Sequence, residues 1–270
     1  MSSAAIGIFD SGIGGLTVLR EIQKKLPKEN IVYLGDTARV PYGTKSAETV
    51  TLYSMHNVNF LLQKNVKMIV VACNTASAFA LPSLQKKYSL PILGVIEPGS
   101  EVAIQKTKSG HIGVIGTEGT IRSQAYQNTL SKLRSDLQIS ATACPLFVPL
   151  AEEGWITGEV PEKIAATYFE KLKQAIHTID TLILGCTHYP LLKSTIQKVV
   201  GPEVVLIDSA EATAFYTEKI LKEKNLLNTV LENGKVSFYV TDSAEKFKNV
   251  GELFLKQHIS EVEHVSIGTT

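Results

Sequence analysis

Short apolar runs alternate with amphipathic stretches along almost the whole chain. The runs Ala4–Phe9, Ile31–Leu34, Met68–Ala72, Ile92–Val95, His111–Ile115, Gln138–Ala143, Thr181–Gly185, Val204–Ile207 and Val236–Val240 are dominated by Ile, Val and Leu without polar alternation. That is the pattern of strands covered on both faces. Between them, Leu16–Leu26, Ser46–Lys64, Glu162–His177 and Leu191–Val200 gather their charges on one side, as helices with one solvated face do. Strand-like and helix-like segments in turn predict an α/β fold with mainly parallel sheets.

Two weak breaks interrupt this pattern. Glu97-Pro98-Gly99-Ser100 is rich in turn residues and is the better candidate for a crossing point between domains; Asp208-Ser209-Ala210 is the second. They divide the chain into a middle unit, 98–209, and a second unit assembled from 1–97 and 210–270. Each unit owns one copy of a short frame, Ile69-Val70-Val71-Ala72-Cys73-Asn74-Thr75 and Leu182-Ile183-Leu184-Gly185-Cys186-Thr187-His188. In both, an apolar run is followed by Cys, small polar residues and a helix-like stretch, which suggests a duplicated architecture.

Those frames carry the candidate chemistry. Open α/β folds bind ligands at the carboxyl ends of their strands, where both cysteines fall. A free Cys is most often a small buried hydrophobe. A Cys at a helix N-terminus instead has its thiol lowered from about 8.5 and its reactive thiolate favoured. Two thiols in matching frames from opposite units suggest a pair facing one small substrate from two sides, and His188 follows Cys186 as a proton partner. Cys144 precedes Pro145-Leu146-Phe147-Val148-Pro149-Leu150 and reads as packing; that run ends in Glu152-Glu153, where a carboxylate emerges at a loop.

Glycine-rich turns add to the picture. Asp10-Ser11-Gly12-Ile13-Gly14-Gly15 lacks the G-x-G-x-x-G spacing of a dinucleotide site. It serves either as a turn with free backbone N–H groups for an anion or as a helix cap by Asp10 or Ser11. Val40-Pro41-Tyr42-Gly43 and Gly116-Thr117-Glu118-Gly119-Thr120 are loops that line a pocket or simply connect elements.

Composition narrows the class. The 270 residues are 44% hydrophobic and 20% charged, enough for one large or two moderate domains, and the formal net charge of +1 provides no field for nucleic acid or an anionic membrane. The start of the chain lacks the basic start and long apolar core of a signal peptide, so none is expected, and no run approaches the roughly 18–20 apolar residues of a membrane span. Three cysteines form no disulfide framework, so a cytoplasmic protein with reduced thiols is expected. His56, His111, His177, His258 and His264 share no ligand spacing, so no metal site is expected.

Taken together, six blocks in order resemble the glutamate racemase family of the cofactor-independent Asp/Glu racemase superfamily. They are Gly7–Gly15, Gly35–Gly43, Ala72–Ala76, Gly116–Thr120, Cys144–Leu150 and Gly185–Pro190. The resemblance implies two pseudo-symmetric α/β domains with the active site in the cleft between them, no cofactor and no metal, and interconversion of L- and D-glutamate, supplying D-glutamate for peptidoglycan. It implies Cys73 and Cys186 as the two acid/base residues, Asp10 as an auxiliary acid beside Cys73, and His188 with Glu152 as its counterpart beside Cys186. Ser11, Pro41, Tyr42, Gly43, Asn74, Thr75 and Thr187, together with Asp10 and His188, match substrate-holding positions, with Thr117 and Thr120 as further candidates. A homodimer is one state the resemblance allows, and the short start implies no regulation by a peptidoglycan precursor. Aspartate as substrate, or a non-catalytic module binding an acidic ligand or a partner such as the DNA gyrase bound by some relatives, are the alternatives.

Overall fold

The computed structural model describes residues 4–173 and 179–268. Its strands are β1 (Ala5–Asp10), β2 (Ile31–Gly35), β3 (Val66–Val71), β4 (Ile92–Gly94), β5 (His111–Gly116), β6 (Gln138–Ala143), β7 (Thr181–Gly185), β8 (Val205–Asp208), β9 (Val236–Val240) and β10 (Glu263–His264). They form two sheets, one of six strands in the order β10-β9-β2-β1-β3-β4 and one of four in the order β6-β5-β7-β8. Every pairing is parallel. The fold is α/β, as the alternating pattern predicts.

The order β2-β1-β3-β4 repeats as β6-β5-β7-β8. Cys73 follows β3 and Cys186 follows β7, so the two cysteine frames occupy the same place in two copies of one topology. The repeat is therefore structural as well as textual.

Unbroken apolar strands arise because both faces of each sheet are covered. Ile6, Ile8, Met68 and Val70 pack in a core that joins both sheets, whereas Phe9, Ile69 and Val71 point the other way, under the helices Ala47–Gln63 and Asn74–Lys87. In the second sheet Ile115, Leu182 and Leu184 face the shared core, while Ile112, Val114 and Ile183 meet the helices Ile96–Lys106 and Ala125–Leu133. Each such side chain contributes about 1.5–3 kcal/mol by leaving water.

All nine expected strands form, with ends shifted by up to two residues. β10 was not expected. It is two exposed polar residues that pair through the backbone with β9, and no hydrophobic pattern marks it. The Glu97-Pro98-Gly99-Ser100 turn is a correction: these residues lie at the start of the helix Ile96–Lys106, which leads from the first sheet to the second. A proline there costs little, because the first N–H groups of a helix have no intrahelical acceptor. Leu191–Val200 divides into a 3-10 turn, Tyr189–Leu192, and the helix Lys193–Val200. The helix expected over Glu162–His177 begins earlier, at Glu159, and runs to Lys173; His177 lies outside the described residues. No helix among the described residues is long and apolar enough to cross a membrane.

Candidate active site

The carboxyl ends of β1, β3, β5 and β7 converge on one pocket with an empty volume of about 490 Å3. Register aligns them: Phe9 pairs with Val71 in the first sheet, and Gly116 with Gly185 in the second. The residue after each strand end therefore emerges at a common level. Cys73 and Cys186 both line the pocket and both are buried.

Cys73 caps the helix Asn74–Lys87, its Sγ accepting the Ala76 N–H at 3.4 Å. The expectation that this terminus lowers the thiol is overturned. Burial first, and then the neighbouring Asp10 carboxylate, push the Cys73 thiol up to about 12. Magnitudes explain the outcome: a helix terminus supplies about 0.3–1 kcal/mol, under one pK unit, whereas full burial shifts a group by several units. Cys73 therefore rests as a thiol.

Asp10 ends β1 beneath the pocket and is wholly buried. Its Oδ2 accepts the Gly12 N–H at 2.8 Å, while Oδ1 has no hydrogen-bond partner. Burial raises its carboxyl, against the opposing charge of His188. The orphaned Oδ1 is an open acceptor, and a raised carboxyl binds a proton more readily than an ordinary one. Neither Asp10 nor Ser11 caps the following helix, Leu16–Lys25, whose N-cap is Gly15 with no side-chain bond.

Two glycines of this turn are required by close approach. A Cβ at Gly14 would lie 2.3 Å from Thr187 Oγ1 and 2.5 Å from His188 Nδ1; one at Gly15 would lie 2.5 Å from Asp10 Cβ. The first glycine lets the Asp10 turn touch the Cys186 turn across the two sheets.

On the Cys186 side the chain enters a tight turn instead of a regular helix. Cys186 Sγ lies 3.8 Å from His188 Nδ1, and His188 Nε2 lies 3.0 Å from Glu152 Oε1. Burial opposes a charged imidazole here, but the bonds to Cys186 and Glu152 outweigh it and raise His188 to about 10. The hydrogen bond to His188 in turn lowers the Glu152 carboxyl. Glu152 is the last residue of the helix Phe147–Glu152 and not part of a loop; Glu153, outside the pocket, is exposed. Cys144 is buried away from this pocket, and its backbone carbonyl accepts the Tyr189 hydroxyl at 2.9 Å.

The remaining walls come from the two connecting loops. Asp36 anchors the first: Arg39 Nε donates to both its oxygens at 2.8 Å, Thr241 donates at 3.1 Å, and the Tyr42 hydroxyl donates as well. Tyr42 also accepts from Asn57 Nδ2 at 3.1 Å, so its hydroxyl is committed to this network. Gly43 presses on Thr117, where an added Cβ would lie 2.9 Å from the threonine Cβ. Thr75, Thr117 and Thr120 form a hydroxyl triangle with sides of 2.8, 3.0 and 3.3 Å.

Of the residues singled out from sequence, Ser11, Pro41, Tyr42, Gly43, Cys73, Asn74, Thr75, Thr117, Glu152, Cys186, Thr187 and His188 line the pocket. Asp10 and Thr120 lie behind that lining, both buried. Gly12, Ile13, Val40 and Val148, from the same motifs but without an assigned role, complete the lining. Ile13, Val40 and Val148 are apolar, and nothing in their pattern separates a pocket wall from ordinary core.

The family model for Asp/Glu/hydantoin racemases matches residues 6–217 of this chain. A glutamate racemase from Geobacter metallireducens is 53% identical over 263 residues, covering 97% of each chain. Among solved structures, a glutamate racemase isoform from Bacillus anthracis superposes with a TM-score of 0.91 at 43% identity, covering 97% of both chains. The glutamate racemase of Francisella tularensis, solved in complex with D-glutamate, gives 0.92 at 39% identity over 98% of both.

Proposed function

Because this chain belongs to the Asp/Glu/hydantoin racemase family, we propose that its pocket interconverts L- and D-glutamate by moving one proton between two thiols. The chain is an amino-acid racemase, an isomerase, and near-full-length identity to glutamate racemases supports glutamate as its substrate and peptidoglycan synthesis as its use. The observation that carries the two-thiol reading is the placement of Cys73 and Cys186 at equivalent strand ends on one pocket.

A racemase must treat mirror-image substrates alike, so it needs two similar groups on opposite faces of Cα. In one direction Cys186, as thiolate beside the charged His188, removes the α-proton. Cys73, resting as a thiol, then protonates the opposite face. In the other direction the roles reverse: Cys73 loses its proton to the Asp10 side and acts as base, and Cys186 returns a proton. Glu152 keeps His188 charged between turnovers. Backbone and hydroxyl donors of Ser11, Gly43, Asn74, Thr75 and Thr187 would receive the substrate carboxylates, with Thr117 beside them and Thr120 supporting Thr75. The α-proton is very weakly acidic, so fixed donors around the carbanion-like transition state must supply most of the barrier reduction. Cysteine suits the exchange because thiol and thiolate are both reachable with local partners.

The same reading treats 1–97 with 210–270 as one domain and 98–209 as the other, each contributing one thiol. It also puts the protein in the cytoplasm, where thiols remain reduced. The test is racemisation of L- and D-glutamate without added cofactor, compared with L- and D-aspartate. Equal loss of optical rotation from both glutamate enantiomers is expected, and a clear preference for aspartate would refute the substrate.

A further inference from the structure

Each cysteine turn is tied to a buried hydroxyl of the opposite unit. Tyr126, on the helix Ala125–Leu133 beside the second sheet, donates to Asn74 Oδ1 at 2.7 Å. Asn74 directly follows Cys73. Thr17, on the helix Leu16–Lys25 beside the first sheet, donates to the Thr187 carbonyl at 3.1 Å while sharing its hydrogen with Gly14 O at 3.0 Å. Thr187 directly follows Cys186. Tyr126 and Thr17 are both fully buried, and neither lines the pocket.

The Tyr126 bond has a directional consequence. A phenol donates its one hydrogen to the amide oxygen, which turns the Asn74 amide nitrogen the other way. That nitrogen is buried without a partner, on a residue that lines the pocket. An unmatched buried donor is costly, and a substrate oxygen would remove that cost. On the other side, Thr17 holds the Thr187 carbonyl against the glycine turn where Gly14 leaves no room for a Cβ.

We propose that Tyr126 and Thr17 are reciprocal positioning residues: each reaches across from one unit and holds the thiol turn of the other, so that the two cysteines keep a fixed disposition about Cα. This inference rests on the two-thiol racemase reading above. It adds two residues that lie outside the pocket lining and that act through Asn74 and Thr187.

The test uses α-deuterated L- and D-glutamate with the full chain. One enantiomer surrenders its α-hydrogen to Cys73 and the other to Cys186. Slowing proton transfer at one thiol raises the isotope effect on kcat/KM for the enantiomer that this thiol deprotonates. It lowers the effect for the other enantiomer, whose slow step becomes reprotonation. Tyr126→Phe is expected to produce this divergence, and Thr17→Val the same divergence with the enantiomers exchanged. Each should lower kcat/KM about tenfold, the scale of one lost hydrogen bond. Thr17→Ser keeps the hydroxyl and should restore wild-type isotope effects. A merely structural role would reduce only the amount of folded enzyme, lowering kcat for both enantiomers while KM and the isotope effects stay unchanged; that result overturns the proposal. If one variant does not fold, the other carries the test, since each is assigned to its own thiol. Wild-type chain that fails to racemise glutamate would overturn the functional reading itself, an outcome separate from a wild type that racemises and variants without divergence.

Discussion

His188 Nε2 lies 3.0 Å from Glu152 Oε1, and this contact joins the end of the helix Phe147–Glu152 to the turn that carries Cys186. It makes the charge on His188 depend on the Glu152 carboxylate. Replacing Glu152 with Gln removes the charge partner but leaves an acceptor oxygen. The imidazole, held near 10 in the folded protein against an ordinary 6.5, should then titrate closer to neutrality. Because the folded value is raised, the stability it contributes is complete below 6.5 and is lost as pH rises toward 10. NMR titration of the His188 ring should show the midpoint falling in Glu152→Gln, and the alkaline loss of stability should begin at lower pH. An unchanged midpoint would remove Glu152 from the proton path.

Gly14 is where the Asp10 turn meets the Cys186 turn. A methyl group there would be 2.3 Å from Thr187 Oγ1 and 2.5 Å from His188 Nδ1, so Gly14→Ala must push the two turns apart. Overpacking of this kind costs about 1–3 kcal/mol. The melting temperature should fall accordingly, and kcat should fall further than folding alone explains, since the displaced atoms belong to Thr187 and His188, which line the pocket beside Cys186. Activity that tracks the folded fraction would show the contact to be packing only.

Asp36 is buried beneath the Tyr42-Gly43 loop and accepts from Arg39, Thr241 and Tyr42. Asp36→Asn removes the charge that orients Arg39 and leaves fewer acceptors for the same donors. Hydrogen bonds to a charged group contribute about 1.5–3 kcal/mol, and chemical denaturation should register a loss on that scale. The KM for glutamate should rise more than kcat falls, because the loop lines the pocket without bearing a proton.

Cys144 provides the contrast. Its thiol is buried outside the pocket and donates weakly to the Thr142 carbonyl at 3.7 Å. Burial pushes it up, leaving an inert thiol. Cys144→Ala should lower stability by about 1 kcal/mol and leave both racemisation rates unchanged.

The parts legible in the sequence were those set by local covering. β1, β3, β5 and β7 are buried on both faces, and that produces continuous Ile, Val and Leu runs. β10 carries no such signal, because only its backbone pairs. The two cysteine frames were visible because a repeated topology repeats its strand ends. What was not legible depended on how the two sheets meet. The raised Cys73 thiol reflects burial by residues distant in sequence, which overrode the helix terminus seen locally. Tyr126 reaches Asn74, and Thr17 reaches Thr187, across separations of 52 and 170 residues. The apolar walls Ile13, Val40 and Val148 look like any other core side chains.

The proposed pair of thiols on opposite faces makes a specific demand on single variants. With Cys73→Ser, Cys186 can still remove the α-proton of one enantiomer and return a deuteron to the same face in heavy water; with Cys186→Ser, only the other enantiomer should exchange. Racemisation itself should fall by about 10²–10⁴ in each variant, the usual contribution of a positioned acid or base. The decisive measurement is therefore solvent deuterium incorporation into L- and D-glutamate by the two variants, followed by NMR alongside chiral analysis. Exchange with retention, confined to opposite enantiomers in Cys73→Ser and Cys186→Ser, is the expected result. Undiminished racemisation by either variant, or exchange of the same enantiomer by both, would contradict it.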